Sequence, residues 1–253
     1  MKKTQIIILA GGKGTRMKSD DPKALAKYKG KYFLQHILDT INAIDLPLKP
    51  IIVVCHKKDQ IKKAIGNELL YAEQSEPLGT GHAVASAKNV AHHDHNTILV
   101  LSTDQPLISK NTIETLLTKH LENKPTITMA TMLVPDFEEW RSCFKHFGRV
   151  IRKENGSVNG IVEYKDATQN EQLIKEVNPA VYAFDSDWLW KNIDLIKNQN
   201  AQNEYYLTDL IKMASEQGKR IEAVPVADLI EGFQPNSKEE LQLLEKITKD
   251  LVL

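Results

Sequence analysis

Gln5-Ile6-Ile7-Ile8-Leu9-Ala10 runs without polar alternation straight into Gly11-Gly12-Lys13-Gly14, and this junction constrains the fold more than any other stretch of the chain. A short β-branched run without alternation suits a strand covered on both faces, as in a parallel sheet between helical layers. Phe33, Leu34, Ile37, Leu38, Ile41 and Ile44 then recur at helical spacing, and Pro50 to Cys55 reads as the next buried strand. The unit repeats through a helix at 60–65, a strand at 69–71, a helix at 80–90 and a strand at 97–101, which predicts a doubly wound α/β first half. Beyond residue 126 the pattern predicts a mixed sheet. It offers a strand at 126–134, a hairpin about Val150 and Ile161 turning at Glu154-Asn155-Gly156, and one strand over 176–184. Helices at 185–196 and 206–216, a strand at 221–226 and a last helix capped by Ser237 complete the reading.

The 33 basic and 33 acidic side chains cancel, so no basic excess draws the chain to nucleic acid or anionic lipid, and any phosphate recognition must be local. Cys55 and Cys143 have no spacing suited to zinc or to a disulfide framework, which fits a reduced interior. The run Ile6 to Ala10 is too short for a secretory segment, and no stretch approaches a membrane span. These features predict a soluble, cytoplasmic protein.

The loop after the first strand carries Gly11, Gly12 and Gly14 with Lys13 and Arg16, followed by Pro22-Lys23-Ala24-Leu25. Glycines let backbone N–H groups close round phosphate oxygens, and the cations neutralise the charge. It is not a P-loop, because no Gly-Lys-Ser/Thr closes it, and Met17 stands where a dinucleotide fingerprint needs a third glycine. By itself it reads equally well as an ordinary strand-to-helix turn with solvated cations. In open α/β sheets ligands sit beyond the carboxyl ends of the strands, so the loops after Ala10, Tyr71 and Leu101 should converge.

Leu9-Ala10-Gly11-Gly12-Lys13-Gly14-Thr15-Arg16-Met17 with Pro22-Lys23 resembles the signature of the sugar-nucleotide pyrophosphorylases. The likeness continues through Glu73-Gln74, Leu78-Gly79-Thr80-Gly81-His82-Ala83, Thr103-Asp104-Gln105-Pro106-Leu107-Ile108, Phe147-Gly148-Arg149-Val150, Gly160 to Ala167 and Asn200 to Asp209, in order. Within that family the chain is most like the uridylyltransferase domain of the bacterial N-acetylglucosamine-1-phosphate uridylyltransferases. The resemblance implies a Rossmann-like mixed sheet of the nucleotide-diphospho-sugar transferase (GT-A-like) type. One domain over 1–253 is expected, with a nucleotide-binding half at 1–110, a sugar-binding half at 111–236 and a C-terminal helix at 237–253. It also implies the substrates UTP and a sugar 1-phosphate, the products UDP-sugar and pyrophosphate, and Mg²⁺ as cofactor.

Residue by residue, the resemblance implies that Ala10, Gly11, Gly12, Gly14, Gln74, Gly79 and Thr80 hold the nucleotide, and that Arg16, Lys23 and Asp104 are catalytic. Gly148, Glu163, Asn178 and Thr208 are the implied sugar ligands. Asp104 with an asparagine near the end of the domain would hold the metal. Ungapped matching after Glu231-Gly232 puts Gln234 at that place, and a two-residue insertion puts Asn236 there. Asn236 is preferred for its shorter amide.

Taken singly, each residue also has a bland reading. Gln74 is a solvated amide, Asp104 an N-cap for a helix from Leu107, Gly148 a hairpin glycine, Glu163 a surface acid beside Lys165, and Asn178 a strand-end amide. His92-His93-Asp94-His95 reads as a solvated loop, since consecutive histidines cannot all face one ion. Trp140, Trp188 and Trp190 read as packing.

Three departures from the resemblance stand out. Ser102-Thr103 replaces a Tyr-Gly pair, Asn178-Pro179-Ala180 replaces Asn-Thr-Gly, and the chain stops short of a hexapeptide-repeat domain, so no acetyl transfer is expected and the oligomeric state is left open. A CTP-dependent or molybdenum-cofactor-type nucleotidyltransferase, or a nucleotide-sugar sensor without activity, are the rival expectations. Retention of Arg16, Lys23 and Asp104 together speaks against the sensor.

Overall fold

The computed structural model describes residues 3–12, 14, 17, 20–92 and 95–249. The chain opens with β1 (Thr4–Leu9), a short hairpin of β2 (Lys27–Tyr28) and β3 (Lys31–Tyr32), α1 (Phe33–Asn42), β4 (Ile51–Val54), α2 (Lys58–Ile65) and β5 (Leu70–Glu73). It continues through α3 (Thr80–Ser86), β6 (Thr97–Ser102), α4 (Lys110–Asn123), β7 (Ile127–Leu133), β8 (Arg149–Arg152) and β9 (Val158–Val162). Next come α5 (Gln169–Gln172), β10 (Glu176–Val177), β11 (Tyr182–Asp185), α6 (Ser186–Asn192), α7 (Asp209–Glu216), β12 (Ile221–Pro225) and α8 (Lys238–Ile247).

Among the described residues these build a ten-stranded mixed sheet in the order β5-β4-β1-β6-β11-β7-β10-β8-β9, with β12 paired to β7 off that path. β5, β4, β1 and β6 run parallel, as the unalternating apolar runs predict. β11 then enters antiparallel between β6 and β7, so strands from both halves of the sequence share one sheet.

Alternate residues of β1 explain why its run has no polar position. Ile6 and Ile8 pack with Leu34, Ile37 and Ile41 of α1 and Leu116 of α4. Ile7 packs on the opposite face with Val84 of α3 and Leu210 of α7. A third cluster of Tyr28, Phe33, Leu107, Phe233 and Leu244 docks α8 against the domain. Ser109, Asp185 and Ser237 cap α4, α6 and α8 through side-chain oxygens that accept N–H groups of Thr112, Trp188 and Glu240.

Several expectations need correction. The single strand expected over 176–184 is two, because Pro179 has no N–H to give a ladder and Ala180 turns the chain at φ +62°. The helix expected from Tyr206 begins only at Asp209; before it the chain closes tighter i→i+3 turns, Asp209 N–H donating to Tyr206 O and Leu210 N–H to Leu207 O, both at 3.2 Å. The helix expected to reach Ile196 gives way to a 3₁₀ turn at Ile193–Leu195. Of the histidine cluster, His93 and Asp94 lie outside the described residues. His95 is not solvated as expected: its Nε2 accepts the Trp190 indole N–H at 3.2 Å, and the two rings meet edge to face.

Candidate active site

The loops after β1, β5 and β6 meet at a cavity of about 490 Å³ lined by Gly11, Gly12, Gly14, Lys23, Gln74, Gly79, Thr80 and Asp104. Ala10 lies beneath, its methyl buried in the core and its N–H donating to Val53 O at 2.8 Å. Arg16, the remaining catalytic expectation in this loop, lies outside the described residues. The buried Gln74 side chain has a fixed orientation, because Nε2 donates to Gly79 O at 3.1 Å, and a carbonyl can only accept. Nε2 also lies 3.1 Å from His82 Nδ1, so Oε1 is the amide atom left on the Gly11 side.

Gly79 is a glycine of necessity. Its φ is +108°, and a Cβ there would stand 2.7 Å from Tyr205 O and 2.8 Å from Tyr205 N. That closeness lets Tyr205 N–H donate to Leu78 O and Gly81 N–H to Tyr205 O, both at 2.8 Å, stitching segment 78–81 to segment 205–207. Gly79→Ala is expected to destabilise the protein by about 1–3 kcal/mol through backbone strain, besides the steric clash. An unchanged thermal midpoint would show that Tyr205 can move aside freely.

Asp104 leaves the carboxyl end of β6 and caps nothing, because α4 has its own cap at Ser109. Its Oδ2 accepts from Lys23 Nζ at 2.8 Å, and the same ammonium donates to Asn236 Oδ1 at 2.6 Å. Burial alone would raise the Asp104 carboxyl, but the adjacent Lys23 ammonium, by its charge and its hydrogen bond, overcomes this and holds the carboxyl below its usual range. Asp104 Oδ1 is buried with no hydrogen-bond partner. The Asn236 amide is turned so that Nδ2 donates to Gln234 O at 2.8 Å, leaving its oxygen toward Lys23. Gln234 goes elsewhere, donating to Pro179 O at 3.2 Å and lining the neighbouring cavity.

That second cavity, about 230 Å³, shares Leu9, Thr80, Ser102 and Asp104 with the first and is further lined by His146, Gly148, Glu163, Asn178, Tyr182 and Thr208. All four expected sugar residues are therefore brought to one wall. A Cβ at Gly148 would come within 2.8 Å of Ile161 and 3.4 Å of the Glu163 carboxylate, so only glycine leaves that floor open. Burial raises the Glu163 carboxyl; the Thr208 hydroxyl, donating to Oε1 at 2.9 Å, opposes this, and Asp166, Asp209 and Glu204 add to it. Asn178 is already half spent, with Nδ2 donating to Tyr182 Oη at 2.6 Å and Oδ1 accepting from Ala180 N–H at 3.0 Å.

Two features escaped sequence reasoning. Arg149 sits fully buried under the second cavity, donating to the carbonyls of Phe147, Lys145 (2.8 Å) and Gln172 (3.2 Å) and lying over the rings of Phe137 and Tyr164. The Gly148-Arg149 pair was the available signal. The 3₁₀ segment Glu139–His146, which carries His146 to the cavity mouth, had none. A wider groove of about 1070 Å³ lies among residues 41–50 and 65–69, at the amino ends of β4 and β5. Open α/β sheets bind at the other end, where Asp104 and Lys23 stand.

No group of three or more His, Cys, Asp or Glu suited to a metal occurs among the described residues, nor any helix long and apolar enough to cross a membrane. A family model described as the MobA-like NTP transferase domain matches residues 6–153. The bifunctional protein GlmU of Bacillus licheniformis is 36% identical over 254 residues, covering 98% of this chain and 54% of that protein. GlmU of Clostridioides difficile is 38% identical over 243 residues, covering 96% of this chain and 51% of that protein. The chain thus spans about half the length of these relatives. In fold it is similar to a UDP-glucose pyrophosphorylase complexed with UDP-glucose, at TM-score 0.78 and 15% identity over 98% of this chain and 99% of that one. It is also similar to a CMP:2-keto-3-deoxy-manno-octonic acid synthetase complexed with CTP, at TM-score 0.72 and 16% identity over 99% of this chain and 100% of that one. With the glycine loop, the aspartate after β6 and the paired cavities all inside one such sheet, the chain belongs to the MobA-like NTP transferase domain family and is a nucleotidyltransferase.

Proposed function

We propose that this chain joins UTP to a sugar 1-phosphate, N-acetylglucosamine 1-phosphate first among them, releasing pyrophosphate in the cytoplasm. The observation that carries the reading is the Asp104–Lys23–Asn236 cluster at the junction of two cavities, one fit for a nucleotide and one for a pyranose. The second ionisation of a phosphate monoester lies near pH 6, so the acceptor oxygen is already anionic and needs no general base. It attacks the α-phosphorus of UTP, the bond to the bridging β-oxygen breaks, and pyrophosphate leaves with that electron pair. The protein aligns the two partners and offsets the negative charge that develops, through Lys23 and the loop N–H groups, with Arg16 expected to assist.

The residues present fit a hard cation. Asp104 Oδ1 is a buried oxygen without a partner, and Asn236 Oδ1 and Asp104 Oδ2 converge on one ammonium, giving the oxygen-only donor set that Mg²⁺ prefers. Asp104 and Asn236 would hold Mg²⁺, which supplies charge neutralisation at the transferred phosphate.

Gln74 favours uracil over cytosine. Its donor atom is committed to Gly79, so Oε1 can accept the uracil N3–H, where cytosine offers a lone pair. Glu163, with Asp166, Asp209 and Glu204 about it, suits a neutral, hydroxyl-bearing acceptor better than the carboxylate of a keto-sugar acid.

Pyrophosphate release measured over UTP, CTP, GTP and ATP against a panel of sugar 1-phosphates tests the reading. UTP with N-acetylglucosamine 1-phosphate is expected to be fastest, and a CTP preference would sink the assignment of Gln74. Discrimination against glucose 1-phosphate should be modest. Pro179 lacks an N–H, Ala180 N–H is taken by Asn178, and Ser102 provides no aromatic wall, so a contact worth about 1–3 kcal/mol is weakened.

A further inference from the structure

We propose that Lys23 is the resident cation of the metal position: without a divalent ion its ammonium fills the gap between Asp104 and Asn236, and the ion enters only by displacing it. This rests on the metal assignment above and adds a competition to it. The ammonium is held at 2.8 Å by Asp104 Oδ2 and at 2.6 Å by Asn236 Oδ1, the two oxygens a metal there would need. The lysine side chain is only 9% exposed, so this is no loose surface contact. The stem is anchored by a 3₁₀ turn, Lys23–Leu25, in which Leu25 N–H donates to Pro22 O at 2.8 Å and Ala26 N–H to Lys23 O at 3.0 Å. Gly14 lies directly over that stem, where a Cβ would stand 3.0 Å from Lys23 Cβ.

A monovalent and a divalent cation cannot occupy one oxygen cradle, because repulsion at hydrogen-bond distance is severe at the effective dielectric of a protein site. Asp104 Oδ1, buried and without a partner, is the free foothold from which an arriving ion can compete for the other two oxygens. The evicted ammonium stays attached at Lys23, whose residue also lines the nucleotide cavity, so eviction delivers a positive charge to triphosphate oxygens. Metal arrival and phosphate neutralisation thereby become one event. The free protein holds divalent ions weakly, and the nucleotide strengthens their binding by giving Lys23 somewhere to go.

The test is Mn²⁺ binding to the nucleotide-free full chain, followed by the electron paramagnetic resonance of free Mn²⁺, in wild type, Lys23→Met and Asp104→Asn. Removing a competitor that fills the site nine-tenths of the time tightens apparent binding about tenfold, so Lys23→Met should bind Mn²⁺ tighter by about that factor or more, and Asp104→Asn should lose binding. Equal or weaker binding by Lys23→Met overturns the displacement while leaving the metal assignment standing. No Mn²⁺ binding by any form, even with UTP present, removes the metal assignment and the displacement with it. The wild-type protein gives an answer that does not depend on a variant folding: acetylation of Lys23 by an amine-reactive ester, read by mass spectrometry, should accelerate as Mg²⁺ is raised to saturation. A labelling rate indifferent to Mg²⁺ contradicts the proposal.

Discussion

Asp104→Asn should keep its fold and release pyrophosphate about a thousandfold more slowly, the loss seen when one preorganised charge-stabilising group is removed from an enzyme site. Asparagine retains an oxygen that can accept from Lys23 Nζ, so the buried ammonium is not left without a partner. It removes the negative charge that would hold a divalent ion against the developing charge of the displacement. Steady-state turnover at saturating Mg²⁺, beside a thermal melt, checks this. A variant with wild-type turnover would falsify the role of Asp104, and a variant that no longer melts cooperatively would place it in the scaffold instead.

Arg149→Met is expected to cost about 3 kcal/mol of stability, because hydrogen bonds from a charged donor are worth roughly 1.5–3 kcal/mol and this guanidinium serves three carbonyls. Methionine fills similar length with no donor, so the carbonyls of Lys145, Phe147 and Gln172 lose theirs. The second consequence is functional. Lys145 O and Phe147 O bracket His146 and adjoin Gly148, residues that line only the acceptor cavity, so the KM for the sugar phosphate should rise while that for UTP stays near wild type. Urea unfolding and the two KM values separate the effects. An equal rise in both would mean that Arg149 supports the whole domain and does not position the acceptor wall.

Much of this architecture was legible because its signals are local. The unalternating β1 and β6 runs specify buried parallel strands, the 3.6-residue period specifies α1, and Ser237 marks the start of α8. The glycine loop and the aspartate after β6 were legible as motifs, since backbone approach and a strand-end carboxylate leave fixed residue types at fixed places. What the sequence hid depends on partners distant along the chain. The residues favour Asn236 over Gln234, but the reason it meets Asp104's partner, a lysine more than two hundred residues away, is not in view there. The tie of Leu207 N–H to Thr80 reaches 127 residues back, and the burial of Arg149 follows from carbonyls of a segment with no periodicity of its own. The break at 178–181 was partly visible in Pro179; the left-handed turn at Ala180 was not, because alanine does not announce one.

The insertion of β11 between β6 and β7 also governs how the molecule can be made. As a chain grows from its amino end, β1, β4, β5 and β6 are complete well before Tyr182–Asp185 exists to cover the edge of β6. Until then Ile98, Leu99 and Val100 lie on an edge without a partner strand, the kind of surface on which one nascent chain adds to another. Closing the sheet joins residues far apart in sequence, and contacts of that kind form slowly. A ribosome stalled before residue 182 therefore holds a half-sheet whose β6 edge awaits its partner, and it is the synthesis of Tyr182–Asp185 that covers it.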